Sequence, residues 1–333
     1  GVLLTALVAA LLGTTPARAA DGQADMKRIA GADRYETAAK LALDKLPSAS
    51  DAVVARADDP ADALAGNYVA GTHIGPVLLA DQHGVPQVTI DALKALHVHK
   101  VRVLGGTGAL GPEVDSQLQA QGFTVERVAG NDRYATAAKI AANSGTANVG
   151  VRGDKGPTVI LASGERPADA LTSGPLAYGQ QYPILLTTAA TLPGVTARAL
   201  DDLGVRHVVI VGGTAAVSQD VENAIIAGGR TTERVAGPDR EGTAVAMADL
   251  LAALATVVRV EVASSTANAD ALALGGHAAP DAPILLCHAV EDCGTTTLTW
   301  ITARSDAIDT VVIAGGTAVV GPIAETQLKA AAS

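Results

Sequence analysis

The sequence has 333 residues, 48% of them hydrophobic and 17% charged, with a net charge of −10. That length and apolar content support two or three folded domains and exclude global disorder. The acidic balance, without basic runs interleaved with aromatics, excludes a nucleic-acid partner, and one Trp, one Phe and five Tyr leave little for stacking sugar rings.

The first feature along the chain is an apolar run from Val2 to Leu12, broken only by Thr5 and followed by Pro16, Ala17, Arg18 and Ala19. This pattern reads as the apolar region and small-residue cleavage site of a secretory signal peptide. A membrane span needs about 20 apolar residues. Residues 1–20 are therefore expected to be a signal peptide truncated at its start, with no membrane span in the mature chain.

A strand is predicted from Met26 to Ala30 and a helix from Arg34 to Leu46. Asp33 suits the N-cap, and Glu36 completes a capping box. Tyr35, Ala38, Ala42 and Leu46 share one helical face. A strand follows at Ala52–Ala55, a helix near Asp62, an apolar strand at Val77–Ala80, a helix at Pro86–Leu96 and a strand at Val101–Leu104. Gly105-Gly106 then turns the chain into a helix opened by Pro112, whose missing N–H costs nothing in a first turn. Strands that are continuous apolar runs, alternating with helices, argue for a parallel sheet covered on both faces.

The same plan then recurs twice. Arg28-Ile-Ala-Gly-Ala-Asp-Arg34-Tyr35-Glu-Thr37 returns at Arg127–Thr136 and again at Arg234–Thr243. Three landmarks follow in the same order each time: Asp-Ala-Leu at Asp62, Asp169 and Asp270; Pro-x-Leu-Leu at Pro76, Pro183 and Pro283; Gly-Gly-Thr at Gly105, Gly212 and Gly315. A repeat of about 100 residues is a whole small domain rather than a solenoid unit. The expected architecture is α/β: three tandem, small, Rossmann-like open parallel-sheet modules at residues 24–122, 123–230 and 231–331.

Several repeated residues are candidates for binding. The pairs Arg28/Arg34, Arg127/Arg133 and Arg234/Arg240 suit phosphate or carboxylate groups; alternatively they pair with Asp33, Asp132 and Asp239, or with neighbouring carboxylates, and lock modules together. The turns Gly105-Gly106, Gly212-Gly213 and Gly315-Gly316 offer either anion-binding amides at a helix start or only the positive φ of a tight turn. Asp62, Asp169 and Asp270 read mainly as helix-start residues that cap and oppose the macrodipole. In the first copy Gly106, Gly108 and Gly111 match a dinucleotide fingerprint; the other copies lose it, so no cofactor is expected. The histidines recur in no set, and neither a nucleophile elbow nor a His-Glu-x-x-His motif occurs; no catalytic or metal site is expected. Cys287 and Cys293 are expected to form a short disulfide closing the loop after an apolar strand.

These motifs, Arg-(Ile/Val)-Ala-Gly-x-Asp-Arg-Tyr-x-Thr, Asp-Ala-Leu, Pro-(Val/Ile)-Leu-Leu and Gly-Gly-Thr, resemble the bacterial cell-wall-binding repeat 2 family over roughly residues 24–331. The resemblance implies modules packed as a pseudo-threefold trimer. It implies a secreted, wall-associated protein, not an enzyme, held noncovalently by an anionic wall polymer of the teichoic-acid or secondary-polysaccharide kind. The three copies take up the sequence, so an effector domain is not expected within it. Glu241 replaces the motif Tyr, and Gly275-Gly276-His277 replaces the Gly-Pro-Leu-Ala of Gly174–Ala177, which speaks against equal binding by all copies. The rival expectation is an extracellular solute-binding protein or wall-associated hydrolase using a cleft at the strand ends.

Overall fold

The computed structural model describes residues 23–333, so the expected signal peptide lies outside the described residues. The first repeat runs β1 (Asp25–Ile29), α1 (Arg34–Lys45), β2 (Asp51–Arg56), α2 (Pro60–His73), β3 (Val77–Ala80), α3 (Gln87–Ala95), β4 (Lys100–Leu104) and α4 (Pro112–Ala120). The second runs β5 (Thr124–Val128), α5 (Arg133–Asn143), β6 (Thr158–Ser163), a 3-10 segment Pro167–Ser173 that continues as α6 (Gly174–Gly179), β7 (Ile184–Thr187), α7 (Gly194–Asp202), β8 (His207–Val211) and α8 (Gln219–Ala227). The third runs β9 (Thr231–Val235), α9 (Arg240–Ala252), β10 (Arg259–Ser264), α10 (Asn268–Ala278), β11 (Ile284–Cys287), α11 (Gly294–Thr302), β12 (Thr310–Ala314) and α12 (Pro322–Ala331).

The strands form three four-stranded parallel sheets, ordered β3-β2-β4-β5, β7-β6-β8-β9 and β1-β12-β10-β11. The three α/β modules expected from the sequence are therefore present. Sheet and repeat, however, are one strand out of phase. The strand that opens each repeat is the edge strand of the sheet built by the repeat before it. β1 completes the circle by pairing with β12, from Asp25 opposite Thr310 to Ile29 opposite Ala314.

The helix after each opening strand returns to its own module. α1 packs on β3 and α3, and on its other side against α10. It accordingly buries two faces: Ala39 and Ala42 join the core of the first module, while Ala38 and Leu41 join a core shared by all three. The single face expected from periodicity misses Leu41 because a helix between a sheet and another helix has two inner sides. Asp33 caps α1 by accepting from the Glu36 N–H at 2.9 Å. Glu36 reaches back to the N–H of Ala32 at 2.6 Å, one residue earlier than a standard capping box.

At the centre, α2, α10 and α6 with its leading 3-10 segment pack against one another. Small residues allow the approach: a Cβ on Gly71 would strike the backbone of Tyr178, and one on Gly275 the side chain of Asn67. Tyr68, Leu171, Leu176, Leu272 and Leu274 fill the shared core, and a separate core lies on the outer side of each sheet. Cys287 and Cys293 are joined by a disulfide between β11 and α11.

Candidate functional site

The repeated motif lies where the chain crosses from one module to the next. Its threonine explains much of the pattern. Thr37, Thr136 and Thr243 each accept from the glycine N–H six residues earlier, Gly31, Gly130 and Gly237, at 3.0 Å. Asp33, Asp132 and Asp239 each cap the following helix. They are thereby committed, and the arginines pair elsewhere.

The first arginine of each pair is a clamp. Arg127 donates to the carbonyls of Gly105, Leu110 and Gly111 and to Asp115. Arg28 donates to the Gly315 carbonyl at 2.8 Å and to Glu325 at 2.7 Å. Arg234 donates to the Gly212 carbonyl at 2.9 Å and to Glu222 at 2.8 Å. Each ties an edge strand to the Gly-Gly-Thr turn and last helix of the preceding module. The expectation that Arg28, Arg127 and Arg234 take ligand does not fit this geometry, since their guanidinium groups are already engaged. Gly105, Gly212 and Gly315 are committed too: their N–H groups donate to Val128, Val235 and Ile29, and their carbonyls receive the clamps. Their φ values of 97°, 100° and 98° lie in the left-handed region that favours glycine. Gly106, Gly213 and Gly316 face open space.

The second arginines turn into the clefts between modules, each towards an aspartate of the module behind it, half-buried at Asp62 and Asp169 and buried at Asp270. Arg133 acts on Asp62, Arg240 on Asp169 and Arg34 on Asp270. These aspartates lie in the first turn of α2, the 3-10 segment and α10, but the N-cap of α2 is Asp59. Asp62, Asp169 and Asp270 are thus not caps; each carboxylate sits against the first glycine of its module's Gly-Gly turn. Burial pushes the Asp62 and Asp270 carboxyls up to about 6 and raises Asp169 as well, each opposed by the facing arginine. Residue type and spacing alone did not show these carboxyls in the clefts.

The cleft between the third and first repeats holds a cavity of about 370 Å³. Arg34, Asp33 and Asp58 line one side, and Asn268, Asp270 and Gly316 the other. The third copy's departures lie outside the lining of this cavity. Glu241, 5% exposed, is 3.3 Å from His288, where the first copy places Tyr35 beside Asp81. His277 donates its ring N–H groups towards Glu261 at 2.7 Å and Asp44 at 3.0 Å. His97 and His99 are exposed. Among the described residues no helix is long and apolar enough to cross a membrane.

A ring of three α/β modules, with polar residues repeated at each junction, defines a modular binding protein. The chain belongs to the family described as Cell wall binding domain 2 (CWB2), whose profile matches residues 28–115, 127–222 and 234–325. It is 29% identical over 238 residues to the N-acetylmuramoyl-L-alanine amidase LytC of Bacillus subtilis, covering 72% of this chain and 45% of that protein. It is 30% identical over 220 residues to the amidase enhancer of the same organism, covering 66% of this chain and 29% of that protein. The chain thus spans less than half the length of either relative. The fold is shared with Cwp6 from Clostridium difficile (TM-score 0.77, 24% identity, 92% of this chain and 48% of that one). It is also shared with Cwp8 from the same organism (TM-score 0.78, 22% identity, 94% of this chain and 52% of that one).

Proposed function

We propose that this chain is an exported, non-catalytic anchor that attaches noncovalently to the bacterial cell wall by gripping an anionic wall polymer in the clefts between its modules. The observation that carries the reading is the threefold recurrence, in a member of a cell-wall-binding family, of an arginine reaching across each module junction. Arg34, Arg133 and Arg240, with Gly106, Gly213 and Gly316, are the residues left on the proposed binding surface once the clamps are set aside. Export is supported by the apolar leader ahead of the described residues and by a disulfide, which persists in oxidising compartments. The overall charge of −10 opposes a polyanion, so the clefts must supply the attraction locally, and added salt should weaken it.

Co-sedimentation with purified bacterial walls tests the proposal. The chain should pellet with intact walls and stay in solution with walls stripped of their anionic polymers. Equal pelleting from stripped walls would rule out a polymer ligand. Hydrolysis of wall fragments by the chain alone would favour an enzyme.

A further inference from the structure

The three clefts share a plan, but their arginines differ in freedom. In the cleft between the first and second repeats, Arg133 is held by the Gly164 carbonyl at 2.7 Å and by Asp59 at 3.3 Å. Between the second and third, Arg240 is held by the Ser265 carbonyl at 2.5 Å. Between the third and first, Arg34 is exposed and makes no hydrogen bond or ion pair among the described residues. The sequence explains the difference. Three residues before the cleft aspartate stand Asp59, Arg166 and Ala267 in the three copies. Asp59 pairs with Arg133, whereas Ala267 has nothing to offer Arg34.

The same alanine leaves α10 without a side-chain cap, whereas Asp59 caps α2 by accepting from the Ala61 N–H. First-turn amides of this eleven-residue helix therefore lack the partner that Asp59 gives in α2, as do those of the 3-10 segment of the second repeat. Arg34 and the first turn of α10 border the cavity of about 370 Å³. So does Asp270, only 6% exposed and without a hydrogen-bond partner among the described residues. The other carboxylates of the lining are engaged: Asp33 caps α1, and Asp58 pairs with Arg56.

We propose that the cleft between the third and first repeats is the polymer seat of this chain, where Arg34 and the first-turn amides of α10 grip one anionic group of a wall glycan, a phosphodiester or a uronate carboxylate. This rests on the wall-binding reading and narrows it to one cleft of three. An anion there faces Arg34 from α1 as attraction and Asp270, Asp58 and Asp33 as repulsion. Asp270, which burial holds near pH 6, is the carboxyl that can give way: protonated, it stops repelling the anion and can donate to it. Binding therefore strengthens as the pH falls through this range.

Calorimetric titration of the full chain with poly(glycerol phosphate) and, separately, polygalacturonate tests the seat and tells phosphate from carboxylate. Two variants decide it. Arg34→Gln removes the guanidinium charge. Ala267→Asp supplies the counterpart of Asp59, which pairs with Arg34 and caps α10, so it closes the seat while adding to the fold; thermal melting verifies that both variants fold. Binding of at least one polyanion, weakened roughly tenfold or more by each variant, is the expected result. Unchanged binding in both variants, or no binding of either polyanion, overturns the seat. If the unmodified chain pellets with walls and both variants pellet equally well, the seat is wrong and the wall reading stands. If the unmodified chain does not pellet, the wall reading itself fails.

Discussion

Arginines six residues apart in one motif have opposite fates, and the difference is set by what surrounds each. The side chain of Arg127 is 17% exposed and meets three carbonyls and a carboxylate. Its removal strands those acceptors, so Arg127→Ala should lower unfolding free energy by about 3 kcal/mol, read as an earlier midpoint in urea. The cleft aspartates predict the reverse. Asp62 titrates near 6 in the folded chain, above its ordinary 3.8, because burial disfavours its charge. The stability it contributes is complete below 3.8 and lost as pH rises through 6. Asp62→Asn should therefore stabilise by on the order of 1–2 kcal/mol at pH 8 and by little at pH 4, as urea titrations at the two pH values would show. The arginines and glycines were visible in the sequence as candidates, but not their division into clamps and free groups. That division depends on which carbonyls lie within reach after folding. The contrast of Ala267 with Asp59 is written in the repeats, yet it carries no weight until Asp59 is seen to hold Arg133.

Among elements, the contact between α1 and α10 holds a charged cluster built around a buried histidine. His277 on α10 lies between Glu261 of β10 and Asp44 of α1, with Lys27, Lys45 and Arg259 nearby. Burial works against its protonated form, but the two carboxylates outweigh burial and raise its pKa above 6.5. The resulting stabilisation is complete below 6.5 and fades as pH rises through the raised value. Melting temperature should fall over that range, and His277→Leu, which keeps the bulk, should flatten the dependence. His277→Ala takes from the buried Glu261 its nearest partner, leaving only Arg259 at 3.4 Å, and should cost about 3 kcal/mol. In the first repeat, strand and helix positions were legible to within about two residues, because its central strands are apolar runs and its helices begin at Asp or Pro. The phase of sheet against repeat was not legible. A parallel strand's neighbour is chosen by a long crossover, and nothing in Thr124–Val128 marks β4 rather than β6 as its partner.

For the whole molecule, the shared core sets cooperativity. Ile29, Leu64, Leu176 and Leu272 belong to one buried cluster drawn from all three repeats, so no repeat can keep its inner face covered alone. Calorimetry should show one unfolding transition, and residues 123–230 expressed alone should remain unfolded by circular dichroism. Three separate transitions would contradict this packing. Because Arg28 grips Glu325 of α12 much as Arg127 grips Asp115 of α4, the chain's described start and its end stand in the relation that a three-residue connection spans between α4 and β5. A circular permutant that bridges Ala332 to Ala24 with a short linker and opens at Gly122 should therefore fold to the same structure. A closed circuit of this kind has no privileged beginning, since the pairing of β1 with β12 repeats the pairing found at the other two junctions.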